Sequence, residues 1–159
     1  MTTELLSTGD PGLDAVVGGG LRRGALIVVA GAPGTGKTIL AQQLAFENAT
    51  PERKAIYFTT WSEPHDKLVD HLSGFDFFDQ DALEKSVEFV NVAELAGGEG
   101  GLSAVMDELV RKAFAERPAV IVLDSSKALA EVGGSGYREV VYDLASRVAL
   151  TGALLLLVG

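Results

Sequence analysis

Eight consecutive residues, Gly31-Ala32-Pro33-Gly34-Thr35-Gly36-Lys37-Thr38, follow the order G-x-x-x-x-G-K-[ST] without a mismatch. Each residue type suits one task. Glycines let backbone N–H groups turn toward an anion with no Cβ in the way. The lysine brings a mobile point charge, and the final hydroxyl is a hard oxygen donor for a cation. Together they predict a grip on a polyphosphate: ATP with Mg²⁺, Lys37 on the β- and γ-phosphates and Thr38 on the metal.

Such a site needs a carboxylate across from the loop. Val120-Ile121-Val122-Leu123-Asp124 is an apolar run that ends in one. Asp124 is the expected second metal contact, direct or through water. The rival reading is a cap on the following segment, where Ser125 and Ser126 stand ready for capping or for water contacts and carry no assigned role.

Hydrolysis further requires a group that orients or deprotonates a water. Glu63 is the candidate, at the carboxyl end of the run Ile56-Tyr57-Phe58-Thr59-Thr60. Helix chemistry is the competing explanation: Ser62 as N-cap, Glu63 in the first turn and Pro64 near the first helical position. Both readings stay open. His65 and His71 lie six positions apart, which is not the spacing of a shared metal face, and read as surface residues. Trp61 reads as packing or as a platform beside the nucleotide. Phe75, Phe77 and Phe78 read as an apolar plug.

The elements that must hold these residues alternate. Strands are expected over Leu26–Ala30, Ala55–Thr60, Val87–Val92, Ala119–Asp124 and Ala153–Val158. Helices are expected over Lys37–Asn48, Pro64–Leu72, Leu102–Glu116 and Tyr137–Leu150, the third with Val105, Leu109, Val110 and Ala113 on one face. This order predicts one α/β domain over residues 1–159: a mostly parallel five-stranded sheet with helices on both faces. The Gly-rich stretches 96–101 and 131–136 read as flexible connections, the second as the better candidate for a mobile substrate or partner loop.

The bulk properties exclude several classes. Cys is absent among 159 residues, which removes disulfides, thiolate metal sites and cysteine nucleophiles and fits a reducing cytoplasm. No apolar run has the length of a membrane span. A formal net charge of −9, with scattered Lys and Arg, disfavours nucleic acid as a partner.

With these residues assembled, the chain resembles the KaiC-like branch of the RecA/RadA ATPase superfamily. The lead-in Ser7-Thr8-Gly9-Asp10-Pro11-Gly12-Leu13-Asp14, then Gly18-Gly19-Gly20-Leu21-Arg22-Arg23-Gly24, runs straight into the phosphate loop, as in that family. The segment Asp124-Ser125-Ser126-Lys127-Ala128-Leu129 is similar to its D-S-x-x-A-L segment. The resemblance implies a RecA-like core with strand order 3-2-4-5-1, ATP hydrolysis, autophosphorylation in some members, and a homo-oligomer, commonly a hexamer, with nucleotide between neighbours. It also marks two departures. A Glu-Glu pair common in the family falls on Trp61-Ser62, with Glu63 one position later. Family members also continue beyond the fifth strand, so a truncated product is the expectation. The functions carried forward are a regulatory or signalling ATPase, a nucleotide-binding module without turnover, and, least favoured, a recombinase-like DNA-binding ATPase.

Overall fold

The structure, a computed structural model, describes residues 4–61 and 63–159. The lead-in forms its own small unit. Strand β1 (Leu5–Leu6) pairs antiparallel with β2 (Leu21–Arg22), and helix α1 (Pro11–Val16) lies between them in the chain. Asp10 caps α1 by accepting the Gly12 and Leu13 N–H groups at 2.7 and 3.2 Å, and Pro11 opens the helix, where no donor is needed. Asp14 ties the unit together. Its carboxylate accepts the Ser7 and Thr8 hydroxyls, both at 2.6 Å, and the Thr8 N–H at 2.8 Å. These bonds hold its carboxyl below the ordinary value of 3.8.

The main sheet comprises β3 (Leu26–Val29), β4 (Ala55–Thr59), β5 (Val87–Asn91), β6 (Val120–Asp124) and β7 (Leu154–Val158). All neighbours run parallel in the order β3-β7-β6-β4-β5. Read from the other edge, this is the expected 3-2-4-5-1 order. Every residue of β4, β6 and β7 is buried, as the continuous apolar runs require of strands covered on both faces. Each fully buried Leu or Ile contributes about 1.5–3 kcal/mol to that arrangement.

Helices α2 (Lys37–Asn48) and α3 (His65–Leu72) cover one face of the sheet. Helices α5 (Gly101–Glu116) and α7 (Tyr137–Ala149) cover the other, with Val105, Leu109 and Ala113 of α5 fully buried as their spacing predicts. The phenylalanine plug forms: Phe46 meets Phe77 and Phe78 at centroid distances of 5.8 and 5.7 Å, and Phe75 stacks on Phe77.

The two Gly-rich stretches differ from expectation. A short helix α4 (Ala93–Gly97) takes in the start of the first. Residues 131–133 belong to α6 (Ser126–Gly133), and 134–136 form a 3-10 turn leading into α7. Packing explains this. Leu129 of α6 is fully buried, and a Cβ on Gly133 would lie 2.5 Å from Leu102 Cδ2 of α5. That glycine provides clearance between helices, and the segment is no free connection. Strand β3 sits at one edge of the sheet with β7 as its partner, and Val28 there is 61% exposed.

Candidate functional site

The phosphate loop leaves the carboxyl end of β3 and enters α2. Gly34 and Gly36 hold φ of 79° and 93°, where a side chain is strained, so the turn depends on glycine at both. Gly36 is the N-cap of α2 and offers no side-chain cap, so the first N–H groups of the helix face the loop's concavity uncapped. Thr35 braces the loop from within, its hydroxyl donating to the Ala32 carbonyl at 2.7 Å. Lys37 folds back over the same turn and donates to the Gly31 and Ala32 carbonyls.

A cavity of about 460 Å³ opens on this loop, lined by residues 34–39. Gln42, one turn further along α2, and Trp61, Glu63 and His71 complete its lining. Trp61 also packs against the core under α2, as its packing reading expects.

Asp124 enters from the carboxyl end of β6, the central strand, and is 3% exposed. Its Oδ2 accepts two hydroxyls: Thr38 Oγ1 at 2.8 Å and Tyr57 Oη at 2.7 Å. Strand register explains the second. Tyr57 pairs with Val122, so alternate side chains place Tyr57 and Asp124 on the same face of the sheet, beneath α2. Burial pushes the Tyr57 phenol up from its ordinary value of 10.0, and the neighbouring Asp124 carboxylate pushes it further. The phenol therefore stays a donor. Ser125 caps α6, accepting the Ala128 N–H at 3.3 Å.

Thr38 Oγ1 and the Asp124 carboxylate are both hard oxygen donors, brought together beside the loop, and this set fits Mg²⁺. No group of three His, Cys, Asp or Glu suited to a metal occurs among the described residues. One carboxylate supplemented by phosphates is the way such an ion is ordinarily held.

Glu63 lies outside the helix. Helix α3 begins at His65 with Pro64 at its N-cap, next to the first helical position as expected, whereas Glu63 precedes the cap and is not in the first turn; Ser62 lies outside the described residues. Glu63 instead turns into the cavity, its side chain 23% exposed, with Oε1 3.8 Å from Nδ1 of His71. His65 faces Glu84 at 3.9 Å, away from the loop.

Gln42 and Tyr57 were given no role at the site from sequence, and His71, which lines the cavity, was read there as a surface residue. Gln42 had a signal, since it stands four positions after Thr38 on the same helix face. Tyr57, buried beneath α2 and not part of the cavity lining, had none until the strand order was known.

Residues 6–158 match the family described as "ATPase: KaiC". A UPF0273 protein of Thermotoga maritima is 29% identical over 136 residues, covering 84% of this chain and 50% of that protein. The circadian clock protein KaiC3 of Synechocystis sp. is 35% identical over 136 residues, 79% of this chain and 26% of that protein. The DNA repair and recombination protein RadB of Pyrococcus furiosus is 43% identical over 60 residues, 38% of this chain and 25% of that protein. The chain thus spans half or less of the length of these relatives. The sheet order and the loop-to-helix junction agree with a family match over nearly every residue, and the chain belongs to the KaiC ATPase family.

Proposed function

We propose that this domain binds ATP with Mg²⁺ at residues 31–38 and hydrolyses it, serving as a regulatory or signalling switch. The observation that carries the reading is the bond between Thr38 Oγ1 and Asp124 Oδ2, which joins the loop to the central strand beside the uncapped start of α2. In this reading the amides of Gly31, Ala32, Pro33, Gly34, Thr35 and Gly36 form the cradle as far as each has an N–H; Pro33 has none and shapes the turn. Lys37 is a catalytic residue through its charge on the β- and γ-phosphates. Thr38 and Asp124 hold the cation, which neutralises charge developing on the transferred group when bound. Glu63, in the same cavity, positions the attacking water and accepts its proton. Assembly of copies into a ring, with nucleotide between neighbours, is part of the same proposal.

A second reading is a nucleotide-binding module without turnover. The position of Glu63, one residue beyond the Glu-Glu pair common in the family and beside His71, favours it. Phosphate release by the parent protein and by Glu63→Gln separates the two. Release by the parent that Glu63→Gln abolishes supports the enzyme. Tight ATP binding by both, with no release by either, supports the module.

A further inference from the structure

Tyr57 is fully buried in β4, packed between the sheet and α2, with its ring 5.0 Å from that of Phe89. The ring serves the core, but the hydroxyl adds nothing to apolar packing. A buried hydroxyl needs a partner. Here the partner is Asp124 Oδ2, at 2.7 Å, the oxygen that also accepts Thr38 Oγ1 at 2.8 Å. The two donors reach it from different elements, β4 and α2. One donor leaves a carboxylate free to swing about its bond to Cβ, whereas two converging on one oxygen set its plane. Tyr57 itself cannot shift, because its ring is held by Phe89 and by the cluster under α2.

We propose that the Tyr57 hydroxyl is a positioning residue that fixes the plane of the Asp124 carboxylate for the divalent cation bound with the nucleotide. The proposal rests on the nucleotide reading above and adds a residue to which that reading gives no role. Partners that hydrogen-bond a metal ligand typically alter metal affinity about 10- to 100-fold when removed. The hydroxyl meets the Asp124 carboxylate and lies beside the Thr38 hydroxyl, the two groups that hold the cation in this reading, so its effect is sought in the Mg²⁺-dependent part of binding.

The test compares the parent protein with Tyr57→Phe, which keeps the ring. Calorimetry measures binding of an ATP analogue with a β–γ imido bridge, once in EDTA and once in excess Mg²⁺. In EDTA the two proteins bind alike. The gain in affinity on adding Mg²⁺ is smaller in Tyr57→Phe by about tenfold. An equal gain in both proteins overturns the proposal while leaving the nucleotide reading intact. Equal weakening in EDTA and in Mg²⁺ also overturns it, because the hydroxyl would then serve only the fold. No binding by the parent protein overturns both. A second measurement needs no folded variant at position 57. With 3-fluorotyrosine at Tyr57, Tyr137 and Tyr142, the Tyr57 fluorine signal is assigned by eliminating those lost in Tyr137→Phe and Tyr142→Phe. Adding Mg²⁺ to the analogue-loaded protein shifts it; an unmoved signal counts against the proposal.

Discussion

Thr38 and Asp124 stand 86 positions apart in the chain and share a hydrogen bond of 2.8 Å, which links the start of α2 to the end of the central strand. The Asp124 carboxylate is thereby a structural knot as well as a site residue. Replacing it in Asp124→Ala strands the Tyr57 hydroxyl in an apolar core. We expect a loss of about 1–3 kcal/mol, seen as a fall in Tm of roughly 2–12 °C. Adding Tyr57→Phe removes the stranded group, so the double variant should recover part of that loss. Strict additivity of the two changes in thermal melts would contradict this account.

Among the described residues Lys37 bonds only to carbonyls of its own loop, and it is not part of the core. Lys37→Ala should leave Tm within about 2 °C of the parent, as expected for a site without buried partners. The same change should weaken ATP by at least about tenfold, through loss of a charge-assisted contact. Differential scanning calorimetry and nucleotide titration read the two effects separately. Unchanged nucleotide affinity would remove Lys37 from the site.

Gly20 has φ of 144°, and a Cβ there would stand 2.7 Å from the Leu6 carbonyl oxygen. Gly20→Ala therefore strains the turn and pushes β2 away from β1. A cost of about 1–3 kcal/mol follows for a side chain forced into such a conformation. The urea midpoint should fall with the slope unchanged, and an unaltered midpoint would show that the lead-in is not docked as described.

Asp14 is held below its ordinary 3.8 chiefly by the Ser7 hydroxyl, then by the hydroxyl and N–H of Thr8. A carboxylate with a depressed folded value adds stability above the unfolded value and loses it as pH falls through the folded one. The advantage of the parent over Asp14→Asn should thus be constant near neutral pH and shrink only below 3.8. Chemical denaturation in a series of acid buffers measures it. A gap that persists undiminished well below that value would rule out the carboxylate as its source.

Much of this architecture could be read from residue order. The runs 55–58, 120–123 and 154–158 are apolar because both sides of the sheet are covered, and that pattern marked them as strands. The ends were trimmed by a residue where pairing stops, as at Ala30, Val92 and Ala153. The segment at Glu131 was misjudged because glycine lowers helix propensity, whereas close packing against Leu102 demanded a residue without a side chain. The loop residues were legible because their chemistry is local. Tyr57 was not, since its role depends on β4 lying beside β6, a fact about neighbours in space. Glu63 was legible as a candidate, and its direction came only from the structure, where it stands before the Pro64 cap of α3 and lines the cavity.

The sheet order has a mechanical corollary. Strand β7 lies between β3, which bears the loop, and β6, which bears Asp124, yet it contributes nothing to the cavity walls. It works as a spacer: two strand widths, roughly 10 Å, separate the roots of the two halves of the site. The caliper that sets the gap across which a cation and a phosphate must fit is thus a bland row of leucines. Main-chain hydrogen bonds on both edges of β7 set that gap, so trimming Leu155 or Leu157 would loosen the core under α5 and α7 and leave the gap unchanged.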